Sequence, residues 1–342
     1  MNRVAIVVLA CSDYESLEVS LACQAAYLQA GVNLFILQNC RGTFDAERTL
    51  GVAQRYARLF PGRIHVVTGI QPGPAYHSLA ALLASPLLAP YELVCKVDDD
   101  AFPIAPGWLE ALVACYDVAA AAPGTPLAYV TPLINNNCWG FPETLAVMNL
   151  RDAYFADMTR DHVVGPPRAS RIVPAGKLDG GSHGTIWAAP HLARWLHERT
   201  TLVPDRFIAA TRGLEPVAVP GAERYSINCI LFRRELWGTI ADGSNDDEHM
   251  LHEHCRRTGA RIVCARSVPF VHMAYFPQRE ENRDLVEVIR KVYELRLGHP
   301  FPIAACASRQ LDLEARLRWL EMKIDRAARR EPERSVTPHR SG

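Results

Sequence analysis

The sequence has no excess of charge of either sign, since Lys and Arg together number 37, and Asp and Glu together also number 37, in 342 residues. Proteins that bind nucleic acid, other polyanions or acidic membranes over a broad surface carry a clear positive balance. The composition therefore excludes nucleic acid as a bulk partner and confines any electrostatic function to local clusters of charged side chains.

Cysteine pairs and long apolar runs are missing as well. The ten cysteines are scattered singly without a Cys-x-x-Cys pair, which favours reduced thiols in a cytoplasmic protein over a disulfide framework. Residues 4–10 are interpreted as a first buried strand rather than a secretory signal, because the run is short and β-branched. The apolar stretch 78–89 contains Pro86 and falls short of the roughly 20 residues that span a bilayer, so we expect no transmembrane anchor.

Strand and helix patterns alternate along the first hundred residues. The predicted strands are Val4–Ala10, Val32–Leu37, Ile64–Thr68 and Leu93–Val97, and the predicted helices are Glu15–Ala30, Ala46–Leu59 and Ala75–Leu83. Near-continuous apolar strands separated by amphipathic helices imply an α/β fold with a mainly parallel sheet covered on both faces. Ligands of such sheets bind at the C-terminal ends of the strands, so the polar residues that follow these strands should gather at one edge.

The periodicity fades between residues 132 and 223, where Asn135-Asn136-Asn137 and the glycine-rich segment 180–184 are interpreted as loops. After residue 223 the periodicity returns. It predicts a strand at Tyr225–Phe232, a helix at Asp246–Thr258 ended by Gly259, and strands at Arg261–Ala265 and Phe270–Tyr275. Leu311–Arg329 is predicted to form a basic amphipathic helix, and the last dozen residues are predicted to be disordered.

Three consecutive carboxylates, Asp98-Asp99-Asp100, follow the fourth predicted strand. Like charges so close together need a compensating cation. In an extended chain Asp98 and Asp100 share one side and Asp99 points away, so two carboxylates can hold a nucleotide and its divalent ion, Mn²⁺ or Mg²⁺. Two alternatives stay open: the aspartates cap the turn into the helix at Trp108, or Lys96 supplies the positive charge.

A second acidic pair, Asp247-Glu248, lies in the first turn of a predicted helix, where the helix dipole keeps carboxylates ionised. An ionised carboxylate facing a hydroxyl can act as a general base, although acids at this position often only complement the dipole. His272 ends a short apolar run, where a neutral imidazole can complete a metal shell, although a lone strand histidine is more often a core residue.

Together these elements resemble the GT-A glycosyltransferases, and within them the family 2 type. The resemblance covers about residues 3–276 and rests on a nucleotide-binding first strand, a D-x-D motif, a strand that ends in an arginine and aromatic segment, an acidic pair opening a helix that ends in glycine, and a late histidine. In this sequence these features are Val4–Ser12, Asp98-Asp99-Asp100, Ile230–Trp237, Asp247-Glu248 with Gly259, and His272.

The resemblance implies a metal-dependent glycosyltransferase that moves a sugar from a nucleotide diphosphate donor, expected to be a UDP-sugar, to a glycan, lipid-linked or other hydroxyl acceptor with inversion. It implies that Asp98 contacts the ribose or the metal, that Asp100 and His272 bind the metal, and that Asp247 or Glu248 is the base. It also implies donor contacts from Ala10, Ser12, Asn39, Asp98 and Asp99. The Gln-x-x-Arg-Trp motif of processive synthases is missing, so single additions in polysaccharide biosynthesis are expected.

The expected layout is a nucleotide-sugar-binding half (1–132), an acceptor-binding and catalytic half of the same domain (133–276), a helical extension (277–330) and a disordered tail (331–342). We expect the predicted helix 311–329 to have one of three roles: it packs on the rest of the protein, it mediates homo-oligomers, or it rests on the inner face of a membrane.

Two other functions remain open. A sugar nucleotidyltransferase shares the fold plan and the metal, but it carries a glycine-rich phosphate loop after the first strand, where this chain has residues Cys11 to Glu15. A non-catalytic nucleotide-sugar-binding or scaffold protein would keep the donor site without the chemistry.

Overall fold

The computed structural model describes residues 3–11, 13–40, 43–158, 162–164, 171–173, 189–220, 226–240, 247–274 and 278–301. The strands are β1 Val4–Ala10, β2 Asn33–Gln38, β3 Ile64–Val67, β4 Leu93–Asp98, β5 Ala101–Pro103, β6 Leu127–Ile134, β7 His162–Val164, β8 Arg171–Val173, β9 Val217–Val219, β10 Cys229–Arg233 and β11 Arg261–His272. The helices are α1 Tyr14–Ala26, α2 Thr43–Leu59, α3 Ala75–Leu83, α4 Trp108–Ala121, α5 Gly140–Val147, α6 Arg151–Asp157, α7 Pro190–Arg199, α8 Pro204–Thr211, α9 Asp247–Thr258, α10 Gln278–Glu281 and α11 Arg283–Leu297, with a 3₁₀ helix at Arg234–Thr239.

A nine-stranded sheet forms the centre of the described chain, in the order β3-β2-β1-β4-β10-β6-β11-β5 with β9 also paired to β11. Strands β3, β2, β1, β4, β6 and β11 run in one direction, and β10, β5 and β9 run against them. Every residue of β1 is buried, as expected of a strand covered on both faces. The predicted α/β fold with a mainly parallel sheet flanked by helices is therefore confirmed.

The parallel half of the sheet aligns the strand ends. Ala10 of β1 lies opposite Gln38 of β2, and Leu9 lies opposite Asp98 of β4. The polar residues that follow these strands therefore share one edge, as the sequence predicted.

Strand β10 enters this sheet late in the chain and antiparallel, between β4 and β6. Its pairing with β4 brings Asn228, just before the strand, to Asp98, whose backbone N–H donates to the Asn228 carbonyl at 2.9 Å. On the other side of β6, β11 pairs with β5 so that His272 lies opposite Ala101. Asp98 and Asp100 are thus bordered by residues distant in sequence.

The structure corrects one interpretation of the sequence. The predicted strand Arg261–Ala265 and the start of the predicted strand Phe270–Tyr275 belong to the single strand β11, which ends at His272 and whose pairing with β6 is irregular between Ala265 and Pro269. Proline has no N–H to donate to a sheet, which suits an irregular pairing at Pro269. Residues 132–223, interpreted as loops around a few short elements, contain the short helices α5 to α8, and Pro190 and Pro204 stand in the first turns of α7 and α8, where proline is tolerated.

Local signals fix the ends of two helices near the strand edge. The Asp13 carboxylate accepts from the backbone N–H of Ser16 at 3.0 Å and so caps α1. Gly259 adopts a φ of 70° directly after α9, which confirms the predicted helix end, because glycine enters the left-handed region without strain.

None of the nine cysteines in the described part of the chain forms a disulfide. Among the described residues no helix is both long enough and apolar enough to cross a membrane. The helix predicted at 311–329 lies outside the described residues, and the layout predicted for residues 1–342 stays a prediction.

His197 is a buried histidine that supports the end of β11. Its Nε2 faces the Met273 carbonyl at 2.6 Å, and its Nδ1 faces the Thr201 hydroxyl at 2.7 Å. The carbonyl can only accept, so Nε2 carries the proton and Nδ1 accepts from Thr201. Burial lowers the pKa of His197 to about 4.

We predict that His197 makes folding pH-dependent. Because its folded pKa lies below its usual 6.5, the unfolded chain binds the extra proton first, and stability falls as the pH drops from 6.5 towards about 4. The contribution is about 3 kcal/mol. Urea denaturation of the wild type and of His197→Gln between pH 8 and 4 should give a flatter pH dependence for the variant, and parallel curves would contradict the assignment.

Candidate active site at the edge of the sheet

Asp98 ends β4 and has a protein partner on each carboxylate oxygen. Lys96 Nζ lies 2.6 Å from Oδ1, and Asn228 Nδ2 donates to Oδ2 at 3.1 Å. Lys96 is buried and also donates to the Ile227 carbonyl at 2.9 Å. The alternative that Lys96 compensates the acidic triplet is therefore supported for Asp98, whose side chain remains 24% exposed.

Asp99 has a different partner from either of its two neighbours. Its Oδ2 accepts from the backbone N–H of Cys11 at 2.8 Å, which ties the end of β1 to the end of β4. Burial and the nearby Asp100 carboxylate raise the pKa of Asp99. The chain turns at Asp99 and Asp100 instead of staying extended, so the side-chain alternation that the sequence predicted for the triplet does not apply there.

Asp100 is almost completely buried between two basic side chains. Its Oδ1 lies 3.3 Å from His272 Nε2, and its Oδ2 accepts from Arg279 Nη2 at 2.9 Å. Burial alone would raise the pKa of Asp100, but the His272 imidazole and the Arg279 guanidinium outweigh it and lower that pKa. Asp100 is therefore an ionised carboxylate in a nearly dry position.

The three aspartates do not cap the following helix. The N-cap residue of α4 is Gly107, and no side chain caps it. The alternative of a purely structural helix cap is thereby excluded for α4.

Two of the three predicted metal ligands, Asp98 and His272, contact the side-chain amide of Asn228. Asn228 Nδ2 lies 3.1 Å from Asp98 Oδ2 and 3.4 Å from His272 Nε2, which in turn faces Asp100 Oδ1. His272 Nδ1 lies 2.7 Å from the Asn136 carbonyl, so Nδ1 donates there and the ring is oriented with Nε2 towards the two aspartates.

The donor chemistry of this cluster fits a hard divalent cation. Neighbouring ligands of an octahedral Mg²⁺-sized ion lie about 3 Å apart, close to the 3.3 Å between His272 Nε2 and Asp100 Oδ1. Among the described residues no three His, Cys, Asp or Glu side chains form a preassembled metal cluster. Mg²⁺ and Mn²⁺ need no such cluster when one or two protein ligands are completed by water and by phosphate oxygens of a substrate.

Asn135, Asn136 and Asn137 form a buried scaffold beneath the site, where the sequence predicted a loop. Asn135 Oδ1 accepts from the backbone N–H of His272 at 3.1 Å, and the Asn136 carbonyl accepts from its ring. Asn137 Nδ2 donates to Asn228 Oδ1 at 3.1 Å. These three residues orient His272 and Asn228, and the unbroken run of one amide residue after a buried strand was the only sequence signal for this role.

Glu248 and Asp247 open α9 beside this scaffold. The Ser226 hydroxyl lies 3.5 Å from Glu248 Oε1, and the Ser226 carbonyl accepts from Asn137 Nδ2 at 2.7 Å. The Asp247 carboxylate instead accepts from the backbone N–H of Glu248 at 3.1 Å. The structure therefore connects Glu248 to the aspartate cluster through Ser226 and Asn137.

Lys96 links the two acidic groups electrostatically. Burial alone would lower the pKa of Lys96, but the carboxylates of Asp98, Asp247 and Glu248 together raise it. A permanent ammonium ion thus acts on both groups from inside the protein, where charges are poorly screened.

The remaining predicted donor contacts lie along the ends of β1 and β2. The Ala10 carbonyl accepts from the backbone N–H of Asn39 at 2.8 Å. The Asn39 side chain is buried and bonds with the backbone of Gly73 and with the Ser78 hydroxyl, so it holds the loop that follows β3. Ser12 lies outside the described residues.

A cleft of about 440 Å³ adjoins Asp100 on the side of Arg279. Its lining combines charged and polar side chains, Asp13, Glu15, Arg279, Asn282 and Arg283 among them, with an apolar floor that includes Leu285 and Ile289. Arg279 faces both Asp100 and this cleft, and no sequence pattern had singled it out.

The sequence matches no family model and no curated protein. Among solved structures, the fold is similar to a mannosyltransferase from Pyrobaculum calidifontis in complex with GDP-Man and Mn²⁺, with 16% identity and a TM-score of 0.43. The match covers 79% of this chain and 56% of that chain, so this chain spans about half the length of that protein. At this level of similarity the match carries no argument about function, which rests on the residues described above.

We predict that Gly140 is required for the asparagine scaffold. A Cβ at this position would lie 2.0 Å from the Ile134 carbonyl oxygen, so Gly140→Ala must shift the backbone and should lower the free energy of unfolding by about 1–3 kcal/mol. Gly51 in α2 is the matched control, because a Cβ added there would meet nothing within 4 Å. Gly51→Ala should raise the free energy of unfolding by about 0.5–1 kcal/mol. Equal stability of the two variants in urea denaturation would contradict this role.

Proposed function

We propose that this protein is a metal-dependent glycosyltransferase of the GT-A type, similar to family 2, which transfers a sugar from a nucleotide diphosphate donor to a hydroxyl acceptor with inversion. The observation that carries the proposal is a cluster at the C-terminal edge of the sheet, in which Asp98 and His272 contact the Asn228 amide and His272 also faces Asp100. A carboxylate that can act as a base, Glu248, is joined to the same cluster through Ser226.

Asp100 and His272 would hold the divalent cation, with Asp98 beside it to contact either the cation or the donor ribose. A bound Mn²⁺ or Mg²⁺ supplies positive charge that stabilises the leaving diphosphate. The low pKa of Asp100 keeps its carboxylate ionised, which a metal ligand requires. The Asn136 carbonyl fixes the imidazole orientation, so this ligand loses little conformational freedom on binding.

Glu248 is the preferred general base, because the carboxylate of Asp247 accepts from the backbone N–H of Glu248 in the first turn of α9. In the proposed reaction the acceptor hydroxyl gives its proton to the Glu248 carboxylate while its oxygen forms a bond to the anomeric carbon. The bond from that carbon to the diphosphate oxygen breaks on the opposite face, and the diphosphate leaves with the electron pair. One displacement inverts the configuration.

Several finer parts of the proposal follow from the resemblance. They are a UDP-sugar as donor, a glycan or lipid-linked acceptor, a role in polysaccharide biosynthesis, and donor contacts from Ala10, Ser12, Asn39 and Asp99. The cytoplasmic location follows instead from the scattered single cysteines, and peripheral membrane contact or self-association follows from the basic helix predicted at 311–329.

The first test measures release of nucleoside diphosphate from a panel of UDP- and GDP-sugars with and without Mn²⁺. We expect Mn²⁺-dependent release by the wild type and a loss of at least about a hundredfold in Asp100→Ala, which removes a ligand. Asp152→Ala, an exposed carboxylate on α6, is the matched control and should keep the wild-type rate. The proposal fails if calorimetry shows that neither Mn²⁺ nor Mg²⁺ improves the binding of any sugar nucleotide.

A second test separates the two candidate bases. Glu248→Gln should lower the kcat of sugar transfer by about 10²–10⁴-fold, because the glutamine amide cannot take up the proton of the acceptor hydroxyl, while donor binding is retained. Asp247→Asn should cost far less, since an amide oxygen can still accept from the backbone of α9. The reverse order of the two kcat values would move the base to Asp247.

A further inference from the structure

Asp100 already has a positive partner at the point where a metal ion would bind. Arg279 Nη2 donates to Asp100 Oδ2 at 2.9 Å, and His272 Nε2 lies 3.3 Å from the other oxygen. Asp100 is only 1% exposed, so attraction and repulsion between these charges are weakly screened. A divalent cation and the Arg279 guanidinium therefore compete for one carboxylate.

Arg279 is partly buried and uses few of its hydrogen-bond donors. A guanidinium offers five N–H donors, yet Arg279 Nε, shielded from solvent, has no hydrogen-bond partner among the described residues. Asp13 Oδ2 lies 3.6 Å from it, which is beyond hydrogen-bonding distance. By contrast, Arg234 donates from two nitrogens to backbone carbonyls. Leaving Asp100 would thus cost Arg279 few contacts.

The side chain also has space to move into. Arg279 is 36% exposed and lines the cleft of about 440 Å³, which lies outside the tight contact with Asp100. A guanidinium turned into this cleft stays within reach of the site and presents its N–H fork to an anion, and phosphate is the group that such a fork binds best.

We infer that Arg279 is an internal counter-ion of Asp100, which a divalent cation displaces and which then binds the diphosphate of the donor. The inference rests on the proposed function. It couples metal and nucleotide, because the metal frees the guanidinium and the diphosphate gives the guanidinium a new partner. Linkage requires that each ligand then raise the affinity of the other.

The test is calorimetric titration of MnCl₂ into the full chain without nucleotide. Arg279→Gln removes the competitor and should bind Mn²⁺ at least about tenfold more tightly than the wild type. Arg279→Lys keeps the charge and should stay within about threefold of the wild type. The matched control Arg206→Gln removes an exposed arginine on α8 that does not line the cleft, and it should leave the Mn²⁺ affinity unchanged.

The second half of the inference is measured by titrating UDP, and separately GDP, into protein saturated with Mn²⁺. Arg279→Gln should bind the preferred nucleotide about tenfold more weakly than the wild type, although it binds Mn²⁺ more tightly. These opposite changes in one variant distinguish a displaced counter-ion from an arginine that merely stabilises the fold, since general destabilisation would weaken both affinities.

A measurement on the wild-type protein makes the test independent of how well the variants fold. Addition of Mg²⁺ with UDP should shift the NMR resonance of the Arg279 Nε–H group, identified by its loss in Arg279→Lys, and should leave that of Arg234 in place.

Two results overturn the inference and leave the proposed function unaffected. One is an Mn²⁺ affinity that is equal in the wild type and in Arg279→Gln. The other is an Arg279 resonance that does not shift although Mg²⁺ and UDP are both shown to bind. A wild-type protein that binds neither Mn²⁺ nor either nucleotide overturns the inference and the proposed function together.

Discussion

The structure at the strand edge depends on how three adjacent carboxylates are kept ionised or buried without repelling one another. Each carboxylate contacts a different partner: Asp98 contacts the ammonium group of Lys96, Asp99 accepts from the backbone N–H of Cys11, and Asp100 contacts His272 and Arg279. Because Cys11, His272 and Arg279 lie far from the triplet in sequence, the acidic triplet draws the ends of the sheet together. The same carboxylates that demand compensation are those that suit a divalent cation.

Polar groups beneath the site give it rigidity. The buried amides of Asn135 and Asn137 hold the backbone of His272 and the side chain of Asn228, and Thr200 and Thr201 accept from Asn135 in turn. Buried amides of this kind are costly unless they are paired, so a network with paired members strongly favours one arrangement. The geometry of the aspartate cluster is therefore set by the core and not by surface loops.

Apolar periodicity and clustered charge were enough to predict the buried strands and several of the candidate site residues. The apolar runs of β1 and β4 predicted buried strands, and Asp98, Asp100 and His272 were singled out by residue type and position. Sequence reasoning missed Asn228 and Asn135 to Asn137, because polar residues outside a periodic pattern look like loop residues until pairing across the sheet reveals their partners. Arg279 was missed for the same reason: a single arginine in α10 has no pattern, and only the fold places it against Asp100.

The late, antiparallel insertion of β10 has a consequence for how the chain reaches this state. Strands β4 and β6 are separated by β10, which does not exist until residues 229–233 have been made. During synthesis the edge of β4 stays unpaired while more than a hundred further residues emerge from the ribosome. Unpaired strand edges promote association with other chains. Synthesis of this protein thus includes a long interval in which the lateral edge of β4 is open to chaperones and to misassembly.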